Sequence, residues 1–390
     1  MEGELKQEMK RPRILVLTLS FGWGHVRAAR TIATELLAQA PNAEVCVVDA
    51  LASPRFLFHA GYVWPYWAML RYAPALWDWF FNRRLTRKHR RTAPGWAFRF
   101  GCPQVFEAIR DFQPDTIVAT EVAACEMAAS AKRRGLTDAR ILNVLTDYES
   151  EPVWVQPEVD RYAVGDKYVA DQLAAWGAAP EKISVCGIPT APSFLVPHDA
   201  RSTRAKYELS AIAPVVLIMG GGMGPTHMDE VAAALLESGT PMQIVAITGH
   251  DARARRRLER LQSVPLTPLH ALGWTDDVPS LMQLASVLIT KPGGLTISEA
   301  AVSALPLVMF DAIPGPEYRN AQRIAATGAG VLTNSAREAA VVTLSLLRDE
   351  TARQRMSASA KKLAQPDAAK TIARLALNES MPNVARKMTA

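Results

Sequence analysis

Two glycine loops and one histidine carry most of the chemistry this chain offers. The stretch Thr290-Lys291-Pro292-Gly293-Gly294-Leu295-Thr296-Ile297-Ser298-Glu299 follows an apolar run, Ser286–Ile289, that reads as a short buried strand. It opens onto Leu295–Val302, which reads as a helix. Glycines at such a junction let a ligand approach the backbone closely, and the unpaired amides at the helix start suit phosphate. Thr296 and Ser298 offer hydroxyl donors, and Glu299, one turn in, can accept from a ribose. A plain strand-to-helix turn would also carry two glycines, so the reading needs support elsewhere in the chain.

That support begins with Ser20-Phe21-Gly22-Trp23-Gly24-His25, where the strand Ile14–Leu19 turns into the helix Val26–Gln39. A neutral imidazole at a helix N-terminus can serve as general base, whereas a lone histidine there can also simply cap the helix. The two glycines beside it favour the base. Asp147 follows the strand Ile141–Leu145 and would emerge at the same sheet edge. It could orient an acceptor hydroxyl or His25, or cap a turn. A dinucleotide fingerprint needs Gly-x-Gly-x-x-Gly, but Arg27 stands in the third glycine's place, which argues against an oxidoreductase.

The elements that must hold these residues form a pattern repeated twice. Candidate strands are Ile14–Leu19, Val45–Val48, Thr116–Ala119, Ile141–Leu145, Val215–Met219, Ile244–Ile247, Val287–Ile289 and Leu307–Phe310. Helical stretches between them include Val26–Gln39, Val122–Arg133, Val231–Leu236 and Ala252–Leu261. Alternation of this kind predicts βα units with parallel sheets. Each half opens with a strand running into a glycine loop, the second being Gly220-Gly221-Gly222-Met223-Gly224. Proline density near Gly187–Pro192 and the polar stretch His198–Lys206 mark a linker, which predicts two Rossmann-like domains, 1–195 and 196–365, facing a cleft, with a C-terminal helix and tail over 366–390.

With 390 residues, 49% of them hydrophobic, the chain has material for two globular domains, and its net charge of +6 suits an anionic partner. Cys46, Cys102, Cys125 and Cys186 lie far apart, without metal-ligand spacing, as buried thiols of a reducing compartment would. Met1–Arg13 has no apolar signal segment, and no apolar run approaches the ~18 residues of a membrane span. The expected location is cytoplasmic, peripheral on the inner face of the cell membrane.

Taken together, Phe21-Gly22-Trp23-Gly24-His25, Leu145-Thr146-Asp147-Tyr148, Gly187-Ile188-Pro189, Lys291–Ala300 and Pro314-Gly315-Pro316-Glu317 with Asn320-Ala321 carry a family likeness. The chain resembles the monogalactosyldiacylglycerol synthases and processive diacylglycerol glucosyltransferases over about Arg13 to Ala360. The resemblance implies an α/β GT-B fold and an inverting, metal-independent transfer of a hexose from a UDP-sugar to diacylglycerol or a related lipid. It needs no cofactor beyond the donor, and no Asp-x-Asp occurs in the chain to hold a metal. By resemblance, Gly293, Gly294 and Thr296 match the diphosphate loop, with Gly221 and Gly222 against the phosphates from the other side. Glu299 matches the ribose ligand, Trp274 and Thr275 the uracil segment, Glu317 and Asn320 the sugar-facing segment, and His25 the base, with Asp147 beside it. Two positions depart from the family. Glu151 stands near the place of a histidine, and Pro316 replaces the glutamine of Pro-Gly-Gln-Glu.

Between Tyr62 and Phe100 the composition changes. Trp64, Trp67, Trp77, Trp79 and Trp96 are five of the nine tryptophans, and Arg83, Arg84, Arg87, Lys88, Arg90 and Arg91 crowd into nine residues. Interfacial aromatics beside a basic run predict attachment to an anionic membrane surface. The same composition could be core tryptophans with a solvated basic face, or a surface for single-stranded nucleic acid. Its place in the acceptor half favours the membrane, and no nucleic-acid partner is expected. A second cluster, Arg253–Arg257 with Arg260, reads as a solvated helix face. The alternatives in function are transfer from UDP-N-acetylglucosamine to another lipid-linked acceptor, a UDP-N-acetylglucosamine 2-epimerase, and a catalytically silent UDP-sugar-binding protein.

Overall fold

The computed structural model describes residues 11–86, 91–221 and 227–377. Its first sheet holds β1 (Arg13–Thr18), β2 (Glu44–Asp49), β3 (Thr116–Ala119), β4 (Arg140–Val144), β5 (Arg161–Val164) and β6 (Ile183–Val185) in the order β2-β1-β3-β4-β5-β6. The second holds β7 (Val215–Met219), β8 (Gln243–Ile247), β9 (Leu269–Leu272), β10 (Val287–Thr290), β11 (Leu307–Met309) and β12 (Gly330–Leu332) in the order β12-β11-β10-β7-β8-β9. Every pairing is parallel. Helices cover both faces, so the central strands are continuous apolar runs with almost no exposure, as in β7 and β10. Both sheets are those the alternating pattern predicts. β5, β6, β9 and β12 add strands that the apolar runs do not announce.

In each sheet the chain reverses its direction of strand addition once, between β1 and β3 and between β7 and β10. Loops leaving the carboxyl ends of strands at such a reversal splay apart and leave a crevice. His25 follows β1 there, Thr120 follows β3, and Lys291–Gly294 follow β10. The helix Trp23–Gln39 buries Ala29, Ile32 and Leu36 against Ile14 and Val16 of β1. The helix Ala368–Ala376 adds Ile372, Ala373 and Leu375 to that same cluster, so the chain returns to the first sheet after finishing the second. Gly187 (φ +90°) makes the return possible. A Cβ there would lie 2.3 Å from the Cβ of Gln365.

The two sheets meet closely beneath the cleft. Tyr148, just past β4, is buried in the core of the second domain, and its hydroxyl lies 2.8 Å from Ser298 Oγ. The Asn320 side-chain Oδ1 accepts from the Tyr148 N–H at 3.0 Å, and its Nδ2 donates to Asp147 Oδ1 at 2.9 Å. Arg323 pairs with Asp166 at 2.6 Å and lies over the Tyr168 ring. Gly294 is the tightest point. A Cβ on it would fall 2.0 Å from the Thr146 carbonyl oxygen. The second glycine of the loop therefore makes room for the opposite domain's backbone. Gly294→Ala should cost about 1–3 kcal/mol by forcing the domains apart, whereas Gly293→Ala, whose Cβ would meet only Glu317 Oε1 at 3.9 Å, should cost little. Urea unfolding of both variants measures the difference, and equal stabilities would remove the interdomain role of Gly294.

Candidate active site

The cleft contains three adjoining cavities. The central one, of about 220 Å³, is lined by the His25 loop, Thr146, Asp147, Lys291, Gly293, Gly294, Thr296 and Glu317. Helices Trp23–Gln39 and Gly294–Val302 both begin at its wall, and a Cβ on Gly24 would lie 3.7 Å from that of Leu295. Two positive helix ends and the Lys291 side chain therefore border one volume, which favours an anion strongly.

His25 stands in that wall with its tautomer fixed. Its Nδ1 lies 3.1 Å from the Thr120 carbonyl oxygen and 2.8 Å from Thr146 Oγ1. A carbonyl only accepts, so Nδ1 carries the proton and Nε2 the lone pair. Thr120 in turn donates its hydroxyl to the His25 carbonyl oxygen at 3.2 Å. Composition had no way to reveal these orienting threonines, which arrive from the ends of β3 and β4. Glu121 is a second group missed in sequence. It caps the helix Val122–Arg133 by accepting from the amides of Ala123 and Ala124. Loss of hydration lifts its carboxyl to a pKa of about 7, with His25 the largest opposing influence.

Asp147 lines the central cavity and also the next one, of about 300 Å³, which contains His25, Tyr62, Tyr66, Trp77, Arg84, Glu121, Glu149 and Glu151. The third cavity, of about 460 Å³, is bordered by Trp23, Arg27, Gly221, Trp274, Thr275 and Thr296. Trp274 stacks on His250, with ring centroids 4.6 Å apart and 8° between planes, and Trp23 closes on both from the opposite domain. Gly222 lies outside the described residues. Glu317 borders the central cavity, accepts from the Ile313 N–H at 3.0 Å, and has its pKa raised by burial. Asn320, expected to face a sugar, is instead fully buried, and its side chain joins the domains as described above. Glu299 is 1% exposed and is paired with Arg27, which borders the third cavity.

The aromatic insert divides into two faces. Trp64, Trp79, Trp96, Phe80 and Arg83 are exposed, with Arg83 over the Trp79 ring at 5.1 Å, and Arg91 is exposed as well. Arg87, Lys88 and Arg90 lie outside the described residues. Trp67, Trp77 and Arg84 do not belong to that outer face. Trp67 and Trp77 border the central cavity, and the Trp77 indole N–H donates to the Pro314 carbonyl oxygen at 2.9 Å. Arg84 turns inward to pair with the buried Glu151. Helical spacing presents Trp77 and Arg84 to one side of Pro74–Thr86 and Trp79 and Arg83 to another, a division that composition cannot show. The basic cluster at Arg253–Arg257 behaves as expected of a solvated face, with Arg255 on Glu259 and Arg257 on Asp229. Arg84→Met should cost about 2 kcal/mol or more because it strands the Glu151 carboxylate, against a few tenths for Arg83→Met. Thermal unfolding of the two variants checks this, and equal losses would return Arg84 to the surface.

Residues 25–190 match the family model for monogalactosyldiacylglycerol synthase, and residues 215–372 match that for the glycosyltransferase family 28 C-terminal domain. A processive diacylglycerol beta-glucosyltransferase of Bacillus pumilus is 28% identical over 372 residues, covering 92% of this chain and 93% of that protein. Its counterpart in Bacillus subtilis is 27% identical over 380 residues, covering 94% and 95%. Among solved structures, MurG of Acinetobacter baumannii shares the fold with a TM-score of 0.60 at 16% identity, over 94% of this chain and 99% of that one. The two-sheet cleft with its paired glycine loops is thus the GT-B architecture, and the chain is a UDP-glycosyltransferase similar over both domains to the monogalactosyldiacylglycerol synthases and processive diacylglycerol glucosyltransferases.

Proposed function

We propose that this glycolipid glycosyltransferase moves a hexose from UDP-hexose to the hydroxyl of diacylglycerol, with inversion and without a metal, at an anionic membrane surface on the cytoplasmic face. The observation that carries the reading is that His25 and Asp147 line both the central cavity and the aromatic one. A base and a carboxylate then stand between donor and acceptor, with Phe21, Tyr66, Trp77 and Pro316 beside them. In this mechanism the lipid hydroxyl enters beside Tyr62, Tyr66 and Trp77, and His25 Nε2 takes its proton as the oxygen attacks the anomeric carbon. Asp147, held by Asn320, orients that hydroxyl. Attack from the side opposite the diphosphate inverts the centre.

The leaving UDP gains charge on its β-phosphate. The starts of the two helices and Lys291 supply the opposing field, and they are in place before the reaction begins. Uracil fits the third cavity beside Trp274 and Thr275, with Gly221 and Thr296 at its junction with the phosphates. Glu317 would accept from sugar hydroxyls. Pro316, first residue of the helix Pro316–Ala326, brings no amide there, so donor choice falls to Glu317 and its surroundings.

Attachment to the membrane would use the outer face of the insert. Phe56, Trp64, Tyr72, Trp79, Phe80 and Trp96 are each at least 45% exposed and close in sequence. Among the described residues no helix is long and apolar enough to cross a bilayer.

Purified protein with anionic liposomes containing diacylglycerol should release UDP from UDP-glucose or UDP-galactose without added metal. His25→Ala should lower kcat about 100-fold or more while leaving UDP affinity within about twofold. Release unchanged by that substitution would remove His25 as base, and no release with either donor would end the diacylglycerol assignment. Trp79→Ala with Trp96→Ala should weaken liposome partitioning about tenfold and leave UDP binding intact; unchanged partitioning would move the membrane surface elsewhere.

A further inference from the structure

Arg27 and Glu299 meet across the cleft, and their geometry is not explained by stability alone. Arg27 Nη2 lies 2.7 Å from Glu299 Oε1. The Glu299 side chain is 1% exposed, yet its second oxygen, Oε2, has no hydrogen-bond partner among the described residues. A buried carboxylate oxygen left unpaired is unfavourable, and a ligand that completes the bonding is one explanation of it. Burial raises the Glu299 pKa to about 7, with Arg27 opposing. Arg27 itself is 31% exposed on the wall of the third cavity, with Phe194 5.8 Å beneath its guanidinium. The other charged groups on that wall are Arg30 and Asp276. Within its own helix, Glu299 lies one turn after Thr296, which faces both the central and third cavities.

We propose that Arg27 is a positioning residue for the donor nucleotide, holding Oε1 of Glu299 from the opposite domain so that Oε2 is presented to a ribose hydroxyl. The proposal rests on the reading of the third cavity as the UDP site. Ribose recognition then belongs to neither domain alone. The donor domain supplies the carboxylate, and the acceptor domain supplies the cation that orients it and favours its ionised form. The position is the one where a dinucleotide-binding loop would carry glycine. Here the long side chain reaches out of its own domain.

The test is calorimetric titration of the full chain with UDP and with 2′,3′-dideoxy-UDP between pH 6.5 and 9. The unsubstituted protein should bind UDP at least tenfold more tightly than the dideoxy compound. Arg27→Met should lose about tenfold in UDP affinity at pH 7 and keep its affinity for the dideoxy compound, which also reports that the variant is folded. Removing the cation raises the Glu299 pKa further, so the ionised form is regained only at higher pH, and the lost affinity should return in part toward pH 9. Arg27→Lys should recover most of the discrimination, and Arg27→Gln should behave as Met. An equal loss for both nucleotides, an unchanged preference in Arg27→Met, or no preference in the unsubstituted protein would each overturn the proposal. Ribose preference lost with Arg27 in a protein that releases no UDP with lipid would overturn the transferase assignment and keep this one; the opposite pair of results would do the reverse.

Discussion

Two helices begin at the same small volume, one from each domain, with Gly24 and Leu295 nearly touching. Like ends of two dipoles repel, and the buried Lys291 adds to the strain. Bringing them together is unfavourable until an anion lies between them, so the surrounding structure has to hold the arrangement. Tyr148 anchored in the opposite core, the Asn320 side chain bonded to the Tyr148 N–H and the Asp147 carboxylate, and the Arg323–Asp166 pair do this below the cleft. A diphosphate relieves the repulsion that these contacts resist.

The same constraint explains why the acidic groups sit where they do. Glu121, Glu149 and Glu151 line the aromatic cavity, which shares His25 and Asp147 with the central one where the helices begin. An imidazole between a cationic volume and an acidic one has its proton-bearing nitrogen turned to backbone and its basic nitrogen available. Among the described residues, Thr120 and Thr146 rather than a carboxylate meet Nδ1 and fix that orientation. The arrangement differs from a histidine oriented by an aspartate, because a neutral carbonyl sets the tautomer without adding a charge beside the ring.

Much of this was legible in the sequence, for identifiable reasons. Buried parallel strands are unbroken apolar runs, so β1, β3, β7 and β10 stood out, and glycine loops after β1, β7 and β10 located the cleft. β6 and β12 have three residues each, and β12 opens on glycine, too little contrast for a periodicity to form. The Gly-Gly turn was legible as a close approach, but the group approaching Gly294 is Thr146, which lies 148 positions earlier and in the other domain. Composition likewise placed five tryptophans and six basic residues of the insert on one outer face, whereas Trp67, Trp77 and Arg84 turn to the cavities. One-dimensional patterns report that a residue is amphipathic; which neighbour it meets depends on the domain interface.

The return of the Ala368–Ala376 helix to the first sheet means that the chain passes between the domains twice, once after Gly187 and once before Ala368. A single connecting strand would allow the halves to twist and swing in any direction. Two crossings, packed on each other where Gly187 meets Gln365, restrain the halves against separation more than a single one would. The pairs Gly24 and Leu295, and Trp77 and Pro314, are thereby tethered close to register.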